Sequence, residues 1–515
     1  MDSSDDSLIM RKGILTCVAV LLLAGGMRAE NPAAETAKYP KREFRGAWYP
    51  TVTNTTWRDM TTDEIKADII RVLDAMASVN VNAVLFQVRP QADALFVSDL
   101  EPWSRFLTGE QGVAPDPFWD PTAFVIEECH KRGMEMHAWF NPYRVTSNDK
   151  EKLAPDHLYF KKPEMFVKYG KQLYFDPGLP ESREHIYRVI KDFVSRYDVD
   201  AVHFDDYFYP YRIGREEFPD EASFLKYHEK DGFSRWDKLN WRRNNVNVLV
   251  KNLNDTIKSV KPWVKFGISP FGVWRNVSDD KNGSNTSSVQ TNYDDLFADV
   301  RLWCQEGWID YSAPQAYQRI GHKRADYDAV VRWWSENKFK PNLYIGQNVG
   351  AMLNAKLSGG RVENQLYKKM DIIRECGNID GNIWWPGTGL VEDQALMDSL
   401  RVDYQAHPAL MPSYPGMDSV PPASVKALRH KDGVLTWKAP SADTPLDEAL
   451  FYAVYRFEKG KPVQLDDASC LVAVVGETRY EIPADTESGA YVYVVTALDR
   501  LWNESRPVKV SVRKR

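Results

Sequence analysis

The chain has 515 residues, of which 43% are hydrophobic and 27% are charged, and its formal net charge is -6. These proportions are typical of globular proteins, and they exclude a largely disordered chain and a membrane-embedded body. The length suits a barrel enzyme with one small additional module. Because binding to phosphates needs clustered Lys and Arg, the acidic balance argues against a nucleic-acid partner.

The first 29 residues are typical of an export signal. Arg11 and Lys12 precede an apolar run over 14–24, and Ala29 is a small residue before a polar stretch. The run is shorter than the roughly 20 residues that span a bilayer. We therefore predict a signal peptide at 1–29, a linker at 30–42 and a mature protein without a transmembrane segment. The mature protein is expected in the periplasm, on the cell surface or in the medium.

From residue 44 onward, short apolar runs alternate with helical patterns, which is typical of repeated β/α units. A helix is predicted to open at Pro121, and another is predicted over 293–306. No Gly-rich nucleotide-binding turn follows the first run, so a closed (β/α)₈ barrel over 43–411 fits better than an open sheet. The eight predicted strands are 44–50, 82–90, 135–144, 200–210, 264–274, 309–317, 342–349 and 381–387.

A second region follows the barrel. Residues 412–420 are rich in Pro and Ser and predict a linker. Residues 421–515 hold seven short alternating runs separated by turn signals, which predict a small all-β sandwich. This module resembles a fibronectin type III domain, and Trp437 and a Tyr-rich pair of strands carry the resemblance. Such modules are spacers or docking surfaces, so we assign no catalytic residue there.

Candidate site residues cluster where the barrel strands end, because active sites of this fold lie at the C-terminal ends of the strands. Side chains two residues apart share one face of a strand and point together. Mutually bonded polar side chains would explain any single pair, but five converging strands favour a functional site. The predicted substrate-binding residues are Arg89, His137, Asn141, Tyr143, Arg144, His203, Tyr207, Gln315, Tyr317 and Trp385.

The fourth strand carries the strongest catalytic signal, the adjacent carboxylates Asp205 and Asp206. Neighbouring strand residues point to opposite sides, so Asp205, on the face of His203, is the expected ionised or proton-transferring group. Asp206 is then expected to orient a neighbour. If the strand ends early and turns, both carboxylates face the substrate.

Two catalytic routes stay open at this point. Glycosidic cleavage commonly uses two carboxylates, and a partner from the loops would be Asp93, Glu101, Asp176 or Glu363. In the other route, the N-acetyl group of the sugar is the nucleophile and the enzyme supplies an acid. Gln315 and Tyr317 would then suit the acetamido group. Linkage, retention or inversion, hydrolysis or transglycosylation, and oligomeric state all stay open.

Seven runs of the barrel region carry a family resemblance: FRGAWYPTV, LFQVRPQADALFVSDLEPWS, HAWFNPYR, FDPGLPESREH, VHFDDYFYP, GISPFGVWRN and APQAY. In this order they resemble the glycosyl-hydrolase-like family of exported bacterial barrel proteins once described as a domain of unknown function. The resemblance covers 44–401. It implies an enzyme that acts on bacterial glycans, with peptidoglycan strands stripped of their peptides as the substrate.

The fourth strand is also similar to that of chitinase-type barrels, whose motif ends in a catalytic Glu. Tyr207 occupies that position here, so the chitinase acid is not carried over. We therefore expect a glycoside hydrolase with a glycan substrate and no metal or organic cofactor. The alternatives are a glycosidase of another polysaccharide and a non-catalytic carbohydrate-binding barrel.

Overall fold

The computed structural model describes residues 39–52, 54 and 56–514. Eight parallel strands close into a barrel in which each strand pairs with its neighbours along the chain and the eighth pairs with the first. The predicted (β/α)₈ barrel is confirmed, and each predicted strand contains an observed one. The strands are β1 Phe44–Tyr49, β2 Ala83–Arg89, β3 Glu135–Phe140, β4 Ala201–Phe204, β5 Lys265–Ile268, β6 Tyr311–Ser312, β7 Asn342–Asn348 and β8 Gly381–Trp385. The predicted signal peptide and most of the predicted linker at 30–42 lie outside the described residues.

In the described chain, one barrel helix follows each of the eight strands. The helix predicted at Pro121 is present, with Asp120 as its N-cap. The helix predicted over 293–306 is wrong, because Phe297 has a left-handed φ of 54° and divides it into two. The helices are α1 Thr62–Ala77, α2 Pro121–Lys131, α3 Pro180–Arg196, α4 Lys238–Val260, α5 Val300–Glu306, α6 Tyr327–Glu336, α7 Leu366–Glu375 and α8 Gln394–Val402.

Shorter elements occupy the loops between strands and helices. None of the helices in the described part of the chain is long and apolar enough to cross a membrane. The short helices are Trp57–Asp59, Arg105–Thr108, Leu158–Lys161, Pro163–Met165, Glu221–Tyr227, Asn292–Asp295, Val349–Leu353, Ser358–Gly360, Gly387–Glu392 and Ala468–Cys470. Two hairpins pair Phe166–Tyr169 with Gln172–Phe175 and Ala355–Lys356 with Val362–Glu363.

A chain of buried polar side chains runs along the barrel axis. His203 Nδ1 lies 2.9 Å from the Tyr311 hydroxyl, which lies 2.9 Å from His137 Nδ1. His137 Nε2 lies 2.8 Å from Glu135 Oε2 near the N-terminal end of the barrel. Tyr311 reaches the axis because Gly267 has no side chain: a Cβ there would lie 1.9 Å from the tyrosine ring. The axis is therefore filled by hydrogen-bonded side chains and forms no open channel.

The C-terminal region is all-β, as predicted, and forms two antiparallel sheets of three and four strands. Its strands are β9 Lys426–Lys431, β10 Val434–Lys438, β11 Ala449–Glu458, β12 Leu471–Val475, β13 Arg479–Glu481, β14 Gly489–Asp499 and β15 Val508–Lys514. The fibronectin type III identity of this sandwich, like the exact domain boundaries, stays a prediction.

The sandwich packs against the N-terminal end of the barrel. Phe451 and Trp502 of the sandwich belong to one apolar cluster with Phe44 and Tyr344 of the barrel strands. The predicted linker at 412–420 joins this contact, because the buried Tyr414 shares a 2.6 Å hydrogen bond with the Tyr344 hydroxyl. The sandwich does not cover the C-terminal end of the barrel.

Candidate active site

A pocket of about 820 Å³ lies at the C-terminal end of the barrel. Its floor is formed by side chains at the ends of the strands, and its walls are formed by loops that follow β4, β5 and β6. Seven predicted site residues line it: Arg144, Asp205, Asp206, Tyr207, Gln315, Tyr317 and Trp385. The pocket therefore lies at the C-terminal ends of the strands, where active sites of this fold are expected.

Both carboxylates of the Asp pair line this pocket. Strand β4 ends at Phe204, so Asp205 and Asp206 lie in the turn beyond it and are not held to opposite faces. This arrangement agrees with the alternative in which the strand ends early and both carboxylates face the substrate. Both side chains are buried, and Asp206 is 1% exposed.

Asp205 is held by several hydrogen-bond donors. Trp139 Nε1 donates to Oδ2 over 3.1 Å, and Asn141 Nδ2 lies 3.1 Å from each carboxylate oxygen. The backbone N–H of Tyr207 donates over 3.3 Å. Burial raises the pKa of Asp205, but the charge of Arg144 and these hydrogen bonds oppose the rise. The donors orient Asp205 and favour its ionised form.

Asp206 lies in a different environment. The Tyr211 hydroxyl donates a hydrogen bond to Asp206 Oδ2. Burial, and then the charge of neighbouring Asp205, raise the pKa of Asp206 to about 7, although hydrogen bonds from Tyr211 and Gln315 oppose the rise. Two adjacent carboxyl groups with different proton affinities are the usual arrangement of an acid next to a charge-stabilising group.

Three indoles line the same pocket. The rings of Trp48 and Trp385 lie 6.3 Å apart at 75°, and those of Trp139 and Trp385 lie 5.9 Å apart at 74°. Trp139 also donates to Asp205, so this aromatic group borders the carboxylates directly. Indole faces suit the apolar faces of sugar rings and the methyl group of an acetamido substituent.

Several polar groups in the pocket are available to a ligand. Among the described residues, the hydroxyls of Tyr207 and Tyr317 have no hydrogen-bond partner, and both side chains line the pocket. Gln87 Oε1 accepts from Thr51 N over 3.0 Å, but Gln87 Nε2 is buried without a partner in the described chain. Gln315 Nε2 donates to Ser269 O over 2.9 Å. These groups can bind sugar hydroxyls or an amide.

Arg89 and Tyr143, predicted to bind substrate, lie outside the pocket lining. A register irregularity between Gln87 and Arg89 breaks the alternation, so Gln87 faces the pocket while Arg89 turns away. Arg89 forms a buried ion pair with Glu101, with Nη2 2.5 Å from Oε1. Tyr143 is buried in the hydrophobic core. Both residues therefore support the loops behind the site.

His137, His203 and Asn141 also lie outside the lining, for another reason. His137 and His203 point into the barrel as predicted, but they lie one layer below the pocket. Trp48 Nε1 donates to His203 Nε2 over 3.2 Å and lies above it. Burial, and then nearby His137, hold the pKa of His203 well below its ordinary value, so the ring is neutral. Asn141 acts through Asp205, which it contacts.

The four loop carboxylates considered as catalytic partners are absent from the pocket lining. Glu101 pairs with Arg89, and Asp93 accepts a 3.1 Å hydrogen bond from Gln111. Asp176 accepts from the backbone of Gly178, and Glu363 pairs with Lys368 on the surface. Within the described chain, Asp205 and Asp206 are thus the carboxylates of this pocket.

The residue patterns missed several pocket residues. Tyr211 follows Pro210, past the end of the strand, and Ser269 lies inside the predicted strand 264–274, beyond the end of the observed strand β5 at Ile268. The loop at 318–325 adds four basic side chains, Arg319, His322, Lys323 and Arg324. Its composition, QRIGHKRA, was the available signal. No group of three or more His, Cys, Asp or Glu suited to a metal occurs in the part of the chain that the structure describes.

A model of the family described as Glycosyl hydrolase-like 10 matches residues 43–357. The chain belongs to this family. Glycosyl hydrolase YngK of Bacillus subtilis (strain 168) is 44% identical over 480 residues, which cover 91% of this chain and 93% of that protein. Glycosyl hydrolase DigH of Escherichia coli (strain K12) is 36% identical over 414 residues, which cover 73% and 92% respectively. As a member of the Glycosyl hydrolase-like 10 family, the chain is a glycoside hydrolase, as predicted.

Solved structures resemble the fold at low identity. The glycoside hydrolase domain of PgaB (BpsB) from Bordetella bronchiseptica is 11% identical, with a TM-score of 0.46 over 70% of this chain and 98% of that one. The catalytic domain of a β-amylase from Paenibacillus polymyxa is 11% identical, with a TM-score of 0.47 over 71% and 98%. This likeness does not bear on the activity of the present member of the Glycosyl hydrolase-like 10 family.

Proposed function

We propose that this glycoside hydrolase is exported and cleaves N-acetylated bacterial glycans, with peptide-free peptidoglycan strands as its substrate. The observation that carries the proposal is the pair of adjacent carboxylates, Asp205 and Asp206, in a pocket with no third carboxylate among its described residues. The resemblance noted in the sequence supports the choice of glycan, and the pattern at 1–29 supports export.

Asp206 is the proposed acid. Its pKa of about 7 leaves much of the group protonated at neutral pH, as proton donation to the leaving oxygen requires. Asp205, held by Trp139 and Asn141, is the proposed charged group that orients the acetamido N–H and stabilises positive charge. Asp205 thus keeps the ionised role expected from strand parity, whereas proton transfer is assigned to Asp206 and not to Asp205.

The lack of a further carboxylate in the described lining favours substrate assistance. The acetamido oxygen attacks the anomeric carbon while Asp206 gives its proton to the departing oxygen, and a cyclic oxazolinium forms. Water then opens this ring and transfers a proton to the Asp206 carboxylate, which restores the acid. Two successive inversions leave the configuration at the anomeric carbon unchanged.

The test compares purified mature protein on peptide-free peptidoglycan glycans, chitin oligomers and plant polysaccharides, with products identified by mass. We expect soluble N-acetylated fragments from the peptide-free glycans, and NMR of the first product should show retention. Fragments from a plant polysaccharide alone would overturn the substrate assignment. Inversion would overturn substrate assistance and leave the substrate assignment standing.

A further inference from the structure

One wall of the pocket carries three cations, Arg319, Lys323 and Arg324, which we name the basic wall. They lie on the loop that follows β6 and line the same pocket as the Asp pair. Arg319 Nη1 donates to the carbonyls of Ile320 and Gly321 over 3.0 and 2.7 Å, which fixes its guanidinium. No carboxylate in the described part of the chain forms an ion pair with any of the three.

Two arginines on the loops that follow β4 and β5 have acidic partners, whereas the pocket-lining Arg144 donates to the carbonyl of Pro90. Arg212 lies 2.7 Å from Asp295, and Arg275 lies 2.9 Å from Asp294. The three cations of the basic wall have no such carboxylate partner within the described chain. Grouped like charges repel each other, and a concave surface of one sign concentrates ligands of the opposite sign.

The basic wall is built on a fixed backbone. The buried Lys369 donates to Gln318 O over 2.8 Å, and Gly321 N donates to Asp326 Oδ1 over 2.7 Å. From the neighbouring loop, Ser287 N donates to Arg324 O over 2.7 Å. The backbone of the loop is thus held at both ends and in the middle, and its cations line the pocket.

A neutral sugar can use the indoles and hydroxyls of the pocket and can accept hydrogen bonds from Arg and Lys, but it supplies no negative charge to three cations that lack an ion pair in the described chain. We propose that the basic wall binds a carboxylate carried by the sugar, and that it selects glycans whose acid groups are free. The inference rests on the proposed function, because each N-acetylmuramic residue of a peptide-free strand carries a free lactyl carboxylate. Attachment of a peptide converts that carboxylate to a neutral, bulky amide.

The first experiment uses peptide-free glycans of one length, either untreated or with their carboxylates capped as methylamides. Capping removes the charge and adds little bulk, so the acetamido groups and ring faces are unchanged. We expect the capped glycan to have a kcat/KM lower by about tenfold or more, mainly through KM, because each charge-assisted hydrogen bond contributes at least that much. Equal kcat/KM on both glycans would overturn the proposal.

The second experiment uses the variant Lys323→Gln/Arg324→Gln. On the untreated glycan its KM should rise by about tenfold, while on the capped glycan it should match the wild type. Arg215→Gln is the matched control, because Arg215 is exposed, lies outside the pocket lining and is not paired within the described chain. Equal losses by the double variant on both glycans would show a structural effect and would overturn the proposal.

Binding separates this inference from the proposed function. Asp206→Asn is titrated with the untreated and capped glycans, and tryptophan fluorescence reports occupancy of the indole-lined pocket. Tighter binding of the untreated glycan without any wild-type turnover would support carboxylate binding by the basic wall and would contradict the proposed hydrolysis. Turnover of both glycans with equal affinity would agree with the proposed hydrolysis and would contradict carboxylate binding by the basic wall.

Discussion

Trp502 of the C-terminal sandwich donates its indole hydrogen bond to Glu135 Oε1 of barrel strand β3 over 2.6 Å. Lys265 Nζ lies 2.5 Å from the same oxygen. Glu135 is the lower end of the axial chain that passes through His137 and Tyr311 to His203, directly beneath the pocket. The sandwich thus completes the closed end of the barrel and is more than a tethered spacer.

Trp502→Phe should destabilise the whole chain, because it leaves a buried carboxylate with one donor fewer. We expect a loss of about 1–3 kcal/mol in the free energy of unfolding, measured by urea denaturation. Trp437→Phe is the control, since the Trp437 indole N–H is buried with no partner among the described residues. Equal losses in the two variants would contradict a role for the hydrogen bond.

The pH dependence should report Asp206. Its pKa of about 7 means that the acid form is lost as pH rises through neutrality, so kcat/KM should fall on the alkaline side. Tyr211→Phe removes a donor that favours the charged carboxylate, so the pKa of Asp206 should rise and the alkaline limb should move to higher pH. Tyr227→Phe, outside the pocket lining, should leave the limb in place. A limb that moves to lower pH in Tyr211→Phe would exclude Asp206 as the acid.

Asn141 should position Asp205 without contacting the glycan. Asn141→Ala removes the amide donor shared by both carboxylate oxygens, and we expect kcat to fall on the order of a hundredfold with little change in KM. Steady-state kinetics on the peptide-free glycan measure both constants. A large rise in KM at constant kcat would show instead that Asn141 binds substrate.

Arg89 should matter for stability and not for substrate affinity. Arg89→Leu removes the cationic partner of the buried Glu101 and leaves His185 as its side-chain hydrogen-bond partner, so we expect a loss of about 3–5 kcal/mol. Arg89→Leu/Glu101→Leu should recover part of that loss. Denaturation and KM are measured on all variants; a changed KM with intact stability would return Arg89 to the substrate-binding set.

The barrel was predictable because its signals are local. Each strand run alternates or is fully apolar and ends in a turn residue, and Pro121 marks a helix start that the structure keeps. The broken helix at Phe297 was not predictable, because its left-handed backbone lies within an apparently continuous helical pattern.

The site was predictable in place but not in detail. The alternation of side chains along a strand correctly predicted that His137 and His203 point into the barrel. Their depth below the pocket was not predictable, because it depends on how the closed barrel stacks its layers of side chains. One irregular pairing diverted Arg89, and the end of β4 at Phe204 brought both Asp side chains to the pocket. The basic wall comes from a long loop, whose approach to β4 is set by tertiary packing.

The most direct test of the central claim separates proton donation from every other role of Asp206. The wild type and Asp206→Asn are compared on peptide-free peptidoglycan glycan and on a dinitrophenyl glycoside of N-acetylglucosamine, whose leaving group needs no proton. If Asp206 is the acid, kcat/KM of the variant falls by roughly 10²- to 10⁴-fold on the glycan and far less on the activated glycoside. Equal losses on both substrates, or full activity of the variant on the glycan, would contradict this role of Asp206.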